Sequence, residues 1–247
     1  KILDVILRQQ KNSQLDQYLF ENEFFVYKDQ NDLKVTFKGL IDKVMYKEVN
    51  GKEIIAVVDY KTGNTIITLN HLLYGLHIQL PIYLYLLKKS DRFKNAYIAG
   101  FYIQKILAPK SNIELNKTEQ EVLEESLRLQ GFTNRDEYLM EMIDQDYIDS
   151  RIIQNLKFKK DGEISSRAKV LSNEEMDDII KQVDFIIDQV ITQVLSGKFL
   201  INPKVIDGKN IACTYCKFRD LCFKRKKNEV ILGGDYNGLD EGTGASD

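Results

Sequence analysis

The first hundred residues alternate between two periods of hydrophobicity, and the switches between them mark the elements. Residues 1–20 carry Ile2, Leu3, Ile6 and Leu7 on one helical face, which predicts a helix. Glu23 to Tyr27 predicts a short strand, and Leu33 to Lys47 a longer one in which Gly39 marks a bend or bulge. Glu53 to Tyr60 predicts a third strand. Its run IIAVV is apolar on both faces, which suits a central strand covered on both sides. Thr62, Gly63 and Asn64 predict the turn that ends it. Residues 70–89 are mostly apolar and predict a helix, with Pro81 expected to kink or break it. Asn95 to Ile106, rich in Tyr, Ile and Phe, predicts a fourth strand. A helix, three strands, a helix and a strand predict an α/β fold with a mixed central sheet flanked by helices.

Residues 111–171 change character. Lys117–Gln130 and Arg135–Ile143 predict two helices, and LKFKKDGEISSRAKV a polar hairpin or loop, so the segment reads as a helical insertion at the edge of the core. Ser172 to Ser196 predicts a long helix. Ser172 and Glu175 have capping-box spacing, an apolar stripe runs from Met176 to Val194, and Gly197 supplies the stop. A cysteine-rich loop at 213–222 and the basic run Lys224 to Lys227 follow. The Gly- and Asp-rich end, within 227–247, predicts a disordered tail. No internal repeat is visible. The N-terminal stretch reads as the end of a helix that began earlier, so the chain is expected to be a fragment of a longer protein.

The hairpin between the second and third strands carries candidate chemistry. Asn50-Gly51 is the pair that a two-residue type I′ turn requires. With those two residues as the loop, Val49 faces Lys52, and counting outward places Asp42 opposite Asp59. Lys61, two residues on, shares the face of Asp59. Opposed carboxylates repel unless a cation or proton lies between them. Two acids and a backbone carbonyl, that of Tyr60, can hold Mg²⁺ with several waters, and Lys61 can steady the water or the developing charge. An Asp-x-Lys alone is common as a pair of solvated strand-end charges; it is the opposition to Asp42 that makes this one a candidate. Gln79 and Tyr83 stand four apart on one face of the following helix. They read either as a surface polar pair or as groups reaching a phosphate or catalytic water.

The three cysteines, Cys213, Cys216 and Cys222, have metal-ligand spacing, but a tetrahedral zinc or an iron–sulfur cube needs four ligands. His71 and His77 are distant in sequence and read as packed residues of an apolar helix. A further ligand is therefore expected from outside the chain. Clustered cysteines of odd number, with no signal-peptide pattern, point to a cytoplasmic metal site rather than a secreted disulfide framework.

Composition narrows the classes. At 247 residues with 43% apolar, 10% aromatic and 29% charged residues, the chain can bury a sizeable core. No apolar run approaches the ~18 residues of a membrane span, so no membrane partner is expected. Net charge is −2, unlike a protein that wraps duplex DNA, so a nucleic-acid partner is expected to meet a local surface or to be held by a larger assembly. No G-x-x-x-x-G-K-[ST] loop is present, so nucleotide hydrolysis is not expected of these residues.

Taken together, Gly39-Leu-Ile-Asp42-Lys43, Asp59-Tyr60-Lys61-Thr-Gly63, Gln79-Leu-Pro-Ile-Tyr83 and Cys213-x2-Cys216-x5-Cys222 resemble the RecB-like branch of the PD-(D/E)xK nucleases. The likeness spans most of residues 20–226 and is strongest to the C-terminal nuclease domain of the AddB/RexB family, the B subunits of bacterial helicase–nucleases. The resemblance implies a restriction-endonuclease-like core over 1–226, with a helical insertion. It implies Mg²⁺- (or Mn²⁺-) dependent exonucleolytic hydrolysis of DNA, with Asp42, Asp59 and the Tyr60 carbonyl as metal ligands, Lys61 as the catalytic lysine, and Gln79 and Tyr83 in support. It also implies that Cys213, Cys216 and Cys222 are three ligands of a [4Fe-4S] cluster, the fourth cysteine and a metal-binding histidine lying upstream. The implied partners are single-stranded DNA from unwound duplex and a motor-bearing A subunit, in double-strand break repair by recombination. The other expectations are a catalytically inactive DNA-channel or docking domain of the same fold, a CRISPR-associated RecB-like nuclease, and a zinc-binding interaction module built on the cysteines.

Overall fold

The computed structural model describes residues 1–30, 32–63, 67–107 and 117–233. Its centre is a six-stranded sheet in the order β1-β2-β3-β4-β5-β6. β1 (Gln17–Gln30), β2 (Leu33–Val49) and β3 (Lys52–Lys61) form an antiparallel meander; β4 (Tyr97–Lys105) runs parallel to β3. The β3–β4 crossover contains helix α2 (Gln79–Lys89). β5 (Gln130–Asn134) is antiparallel to β4, and β6 (Val170–Leu171) is parallel to β5. The remaining helices are α1 (Ile2–Lys11), α3 (Glu119–Ser126), α4 (Glu137–Ile143), α5 (Asn173–Leu195) and α6 (Ile211–Thr214). A separate two-stranded piece pairs β7 (Lys204–Ile206) with β8 (Val230–Leu232). None of the described helices is long and apolar enough to cross a membrane.

The sheet is covered on both faces, as the doubly apolar β3 requires. On one face Ile55 and Val57 pack with Tyr83 and Leu84 of α2 and with Met176, Ile180 and Val183 of α5. On the other, Ile54, Ala56 and Val58 pack with Leu139, Met140 and Ile143 of α4 and with Ile152, Ile153 and Leu156. The segment expected to sit at the core's edge therefore supplies most of the second layer, with Leu15 joining it. It also supplies two strands, β5 and β6, that its helical reading did not include. β5 reads QGFTN, five residues in which Gly and Asn weaken the strand signal of Phe and Thr. It pairs because Gly131 has no side chain: a Cβ there would lie 2.1 Å from the Phe101 carbonyl oxygen. The polar stretch after it does turn back on itself, with Phe158 bridged antiparallel to Ile164.

Other expectations are corrected at their boundaries. The first helix stops at Lys11 rather than residue 20, and Gln17–Phe20 join β1, because pairing with β2 overrides an i, i+3, i+4 pattern that those apolar residues also fit. The predicted 70–89 helix is a 3-10 turn at Leu72–Tyr74 followed by α2. Pro81 does not kink α2. It occupies the first turn, where a backbone N–H has no intrahelical partner to lose. α5 carries the capping box between Ser172 and Glu175, and Gly197 has a φ of 66° at its end. Its inward stripe runs through Ile191, while Val190 and Val194 face outward. The expected tail includes β8 over Val230–Leu232; its residues 234–247, like Asn64 and residues 108–116, lie outside the described residues.

Candidate nuclease site

The β2–β3 turn sets the register as expected. Asn50 and Gly51 have φ of 52° and 75°, both positive as a type I′ turn demands, and Val49 faces Lys52. The ladder ends with Lys43 opposite Val58, one step short of Asp42 and Asp59. At that step Asp42 Oδ2 accepts a hydrogen bond from the Tyr60 amide at 2.8 Å. The side chain thus satisfies a donor that the ladder has left open.

Asp42 sits at a break in its strand. Gly39 and Ile41 face α2, and so do Val44 and Tyr46, so the alternation of β2 slips by one residue between them. Across the ladder Phe20 pairs with Lys43 and Asn22 with Ile41, leaving Glu21 opposite Asp42, unpaired, with a φ of 48°. This kink holds Asp42 on the face of Val44, which is also the face of Val57, Asp59 and Lys61. Gly39, read in sequence as the bend, has a different role. A Cβ there would lie 2.7 Å from Leu86 Cδ1, so its bare backbone lets α2 lie close over β2.

That close approach brings Gln79 and Tyr83 onto the carboxylates. Gln79 Nε2 donates to Asp59 Oδ1 at 2.8 Å and meets the Tyr83 hydroxyl at 2.7 Å, while its Oε1 accepts from Lys61 Nζ at 2.9 Å. Asp59 is 1% exposed. Its Oδ2 has no hydrogen-bond partner; Lys61 Nζ lies 2.6 Å away, an ion pair by distance at an angle outside hydrogen-bond geometry. Burial pushes the Asp59 pKa up, Lys61 pulls against that, and Asp42 adds to the rise. Burial also raises the Tyr83 and Tyr60 pKa values, with Asp42 adding to both, so both phenols stay protonated near neutrality.

These features fit a divalent cation. Two carboxylates meet on one face, and one fully buried oxygen is without a hydrogen bond. The Tyr60 carbonyl is well placed to join them. N–H and C=O of one strand residue project to the same side. The Tyr60 amide points at Asp42, whereas the Lys61 carbonyl accepts from Ile106 on the opposite side. Lys43, next to Asp42, is not a solvated strand-end charge. It is 2% exposed, turned to the opposite face, 5.0 Å over the Tyr18 ring, and burial pulls its pKa down to about 8.

The cysteines are not gathered in the same way. Cys213 lies in α6, where Asn210 Oδ1 caps its amide at 3.1 Å; Cys216 is exposed, and Cys222 follows a turn closed by its amide on the Phe218 carbonyl at 2.9 Å. Cys213 and Cys222 are both within electrostatic reach of Lys224. Among the described residues no three His, Cys, Asp or Glu side chains converge where they could hold a metal. As arranged, three thiols do not by themselves fit a zinc or cubane centre.

A profile of the PD-(D/E)XK nuclease superfamily matches residues 1–223. The chain belongs to that superfamily. Its similar relatives are named as the B subunit of an ATP-dependent helicase/deoxyribonuclease. The protein from Lachnoclostridium phytofermentans is 27% identical over 223 residues, covering 85% of this chain and 19% of the relative. That from Thermoanaerobacter sp. is 29% identical over 197 residues, covering 78% and 17%. That from Clostridioides difficile is 28% identical over 234 residues, covering 84% and 20%. The chain thus spans about a fifth of the length of these relatives. The mixed sheet with its parallel β3–β4 pair and covering helices is the α/β core expected of the superfamily.

Proposed function

We propose that this nuclease-superfamily chain hydrolyses DNA phosphodiester bonds at the Asp42–Asp59 pair, as the nuclease part of a helicase–nuclease. The observation that carries this reading is the convergence of five side chains from three elements: Asp42 of β2, Asp59 and Lys61 of β3, and Gln79 and Tyr83 of α2. Asp42, Asp59 and the Tyr60 carbonyl would hold Mg²⁺ or Mn²⁺. When bound, the cation supplies a more acidic water and charge stabilisation at the phosphate. Lys61 places its ammonium beside Asp59, where it can donate to an attacking water or a phosphate oxygen. Gln79 holds both Asp59 and Lys61, and Tyr83 fixes the Gln79 amide, so the pair acts on orientation.

The names of the relatives support a deoxyribonuclease component working with an ATP-dependent helicase. Unwound single-stranded DNA as substrate, exonucleolytic cutting and a role in double-strand break repair are added as part of the same proposal. The cysteine segment contributes no step to this reaction. The spacing of Cys213, Cys216 and Cys222 supports three ligands of a [4Fe-4S] staple completed by a group these residues do not include.

The test uses the full-length protein in its assembly. Asp59→Ala and Lys61→Ala should each abolish Mg²⁺- or Mn²⁺-dependent cleavage of single-stranded DNA, while ATP-driven unwinding continues. Cleavage retained in both variants overturns the reading and leaves the non-catalytic docking domain in its place.

A further inference from the structure

The amino ends of β3 and β4 frame an open cavity of about 580 Å³, at the opposite end of these strands from Asp59 and Lys61. Its walls come from the turn at Gly51, the last turn of α2, the start of β4 and the first turn of α5. The volume lies within the ~300–1,000 Å³ of small-molecule sites.

Three lysines line it: Lys52 of β3, Lys88 of α2 and Lys94 of the connection into β4. Lys52 Nζ donates to the Tyr97 hydroxyl at 2.8 Å, and Lys88 Nζ to the Ala96 carbonyl at 2.9 Å. Both acceptors are uncharged, and an ammonium has three donors, so each lysine keeps its charge and further N–H groups for a ligand. Lys94 Nζ reaches Asp91 at 3.5 Å, but that carboxylate is fully exposed and water screens the pair. Among the described residues that line the cavity, the one acid is Asp177. Three cations therefore face one carboxylate, in a chain whose net charge is −2. The first turn of α5 is already closed by its Ser172–Glu175 box, so the attraction comes from the lysines.

That excess of two positive charges selects among anions. A carboxylate or a backbone phosphodiester brings one negative charge. A phosphomonoester brings about −1.5 to −2 at neutral pH, on three acceptor oxygens. We infer that this cavity binds a phosphomonoester through Lys52, Lys88 and Lys94, with Asp177 opposing it and limiting the affinity. The chemistry fits two sources, a free nucleotide and the phosphorylated end of a nucleic-acid strand. The site stands apart from the nuclease reading. Hydrolysis of a phosphodiester, in which water adds across one P–O bond, leaves such a group on one product.

The experiment measures binding by the full-length protein without a divalent cation, so that no cleavage intervenes. The probes are thymidine 5′-monophosphate, thymidine, and a single-stranded oligonucleotide with and without a 5′-phosphate. Wild type should bind the monophosphate more tightly than thymidine. Lys52→Gln and Lys88→Gln should each weaken that binding about tenfold, as loss of a charged hydrogen bond does, and Lys88→Arg should keep most of it. Asp177→Asn should tighten it, a gain that a misfolded variant cannot produce. A 5′-phosphate that tightens oligonucleotide binding in wild type but not in the glutamine variants identifies the strand end as a ligand; a gain confined to the monophosphate identifies the free nucleotide. The inference is overturned if neither probe gains affinity from its phosphate, or if both glutamine variants bind as wild type does.

Discussion

The Asp42–Lys61 region and the Cys213–Cys222 region both stood out in sequence, the cysteines more so, yet only the first is assembled. Asp42 and Asp59 are brought together by a ladder counted from the Asn50-Gly51 turn, and Gln79 by a helix that Gly39 lets approach. Every position follows from backbone pairing and core packing. The cysteines lie on a four-residue helix and the turns after it, among exposed apolar side chains such as Tyr215 (83% exposed) and Phe218. Nothing in that segment's own packing draws three thiols to a point. Sites shaped by the fold exist before their ligand; a metal held by the cysteines, as proposed above, would have to bring that segment's order with it, its binding energy counting as folding energy.

The sharpest way to break this contrast is to remove a thiol. In the full-length protein Cys216→Ser should eliminate bound iron and labile sulfide and open residues 198–226 to limited proteolysis. Hydrolysis of a small diester at the Asp42–Asp59 pair should survive. Loss of that hydrolysis along with the iron would show that the two regions form one cooperative unit. Zinc at one per chain in place of iron would turn the cysteines into an interaction module.

Within the first region the next largest effect belongs to Gln79. Its amide holds Asp59 on one side and Lys61 on the other. Gln79→Ala should lower metal affinity or cleavage ~10–100-fold, the usual cost of losing a group that orients a ligand. Tyr83→Phe, which leaves the amide its two charged partners, should cost less. Equal losses would place the phenol in contact with substrate, and a Mn²⁺ titration of both variants decides it.

What was legible in the sequence divides along the same line. The hairpin register and the Gln79–Tyr83 pairing followed from a turn type and a helical period, both local rules. The kink at Glu21 and Asp42 was not legible, because a positive φ at a glutamate leaves no mark in composition. Pro81 was misplaced since helix boundaries depend on the Gly75 and His77 turns, with φ of 72° and 54°, that precede α2. β5 and the second core layer were hidden because Leu129, Leu139 and Ile153 declare a buried face only once the sheet they cover is known. Gly39 drew attention for the wrong reason: a strand glycine signals a bend or a close approach, and only the position of Leu86 separates the two.

Gly39 also offers a stability test of the site's scaffold. Gly39→Val would drive a branched side chain into Leu86 and should cost about 1–3 kcal/mol, as overpacking does. Pairing it with Leu86→Ala should recover part of the loss in thermal melts. Cleavage should fall further than stability does, since lifting α2 moves Gln79 off Asp59. A Gly39→Val protein with normal activity would mean that the helix's distance from the sheet does not set the site.

The smallest effect concerns the clamp at the far end of the same helix. Lys28 of β1 pairs with Asp184 and, at 2.5 Å, with Asp188 of α5, while Lys89 of α2 reaches Asp184 at 3.0 Å. Burial alone would raise the Asp184 pKa, but the bonds from Lys28 and Lys89 outweigh it and the pKa is lowered. A carboxylate depressed in the folded state stabilises it above its unfolded pKa of about 3.9, and that contribution disappears as pH falls through the lower folded value. Partly exposed pairs are worth at most about 1 kcal/mol. Asp184→Asn should therefore lower Tm slightly at pH 7, and wild type and variant should converge as pH drops through the lowered Asp184 value. Cleavage at neutral pH should be nearly unchanged, because the clamp fixes α5 against α2 and β1 whereas Gly39 and Gln79 fix α2 against the carboxylates. A larger loss of activity in Asp184→Asn than in Gly39→Val would reverse that order and make the α2–α5 contact the element that positions the site.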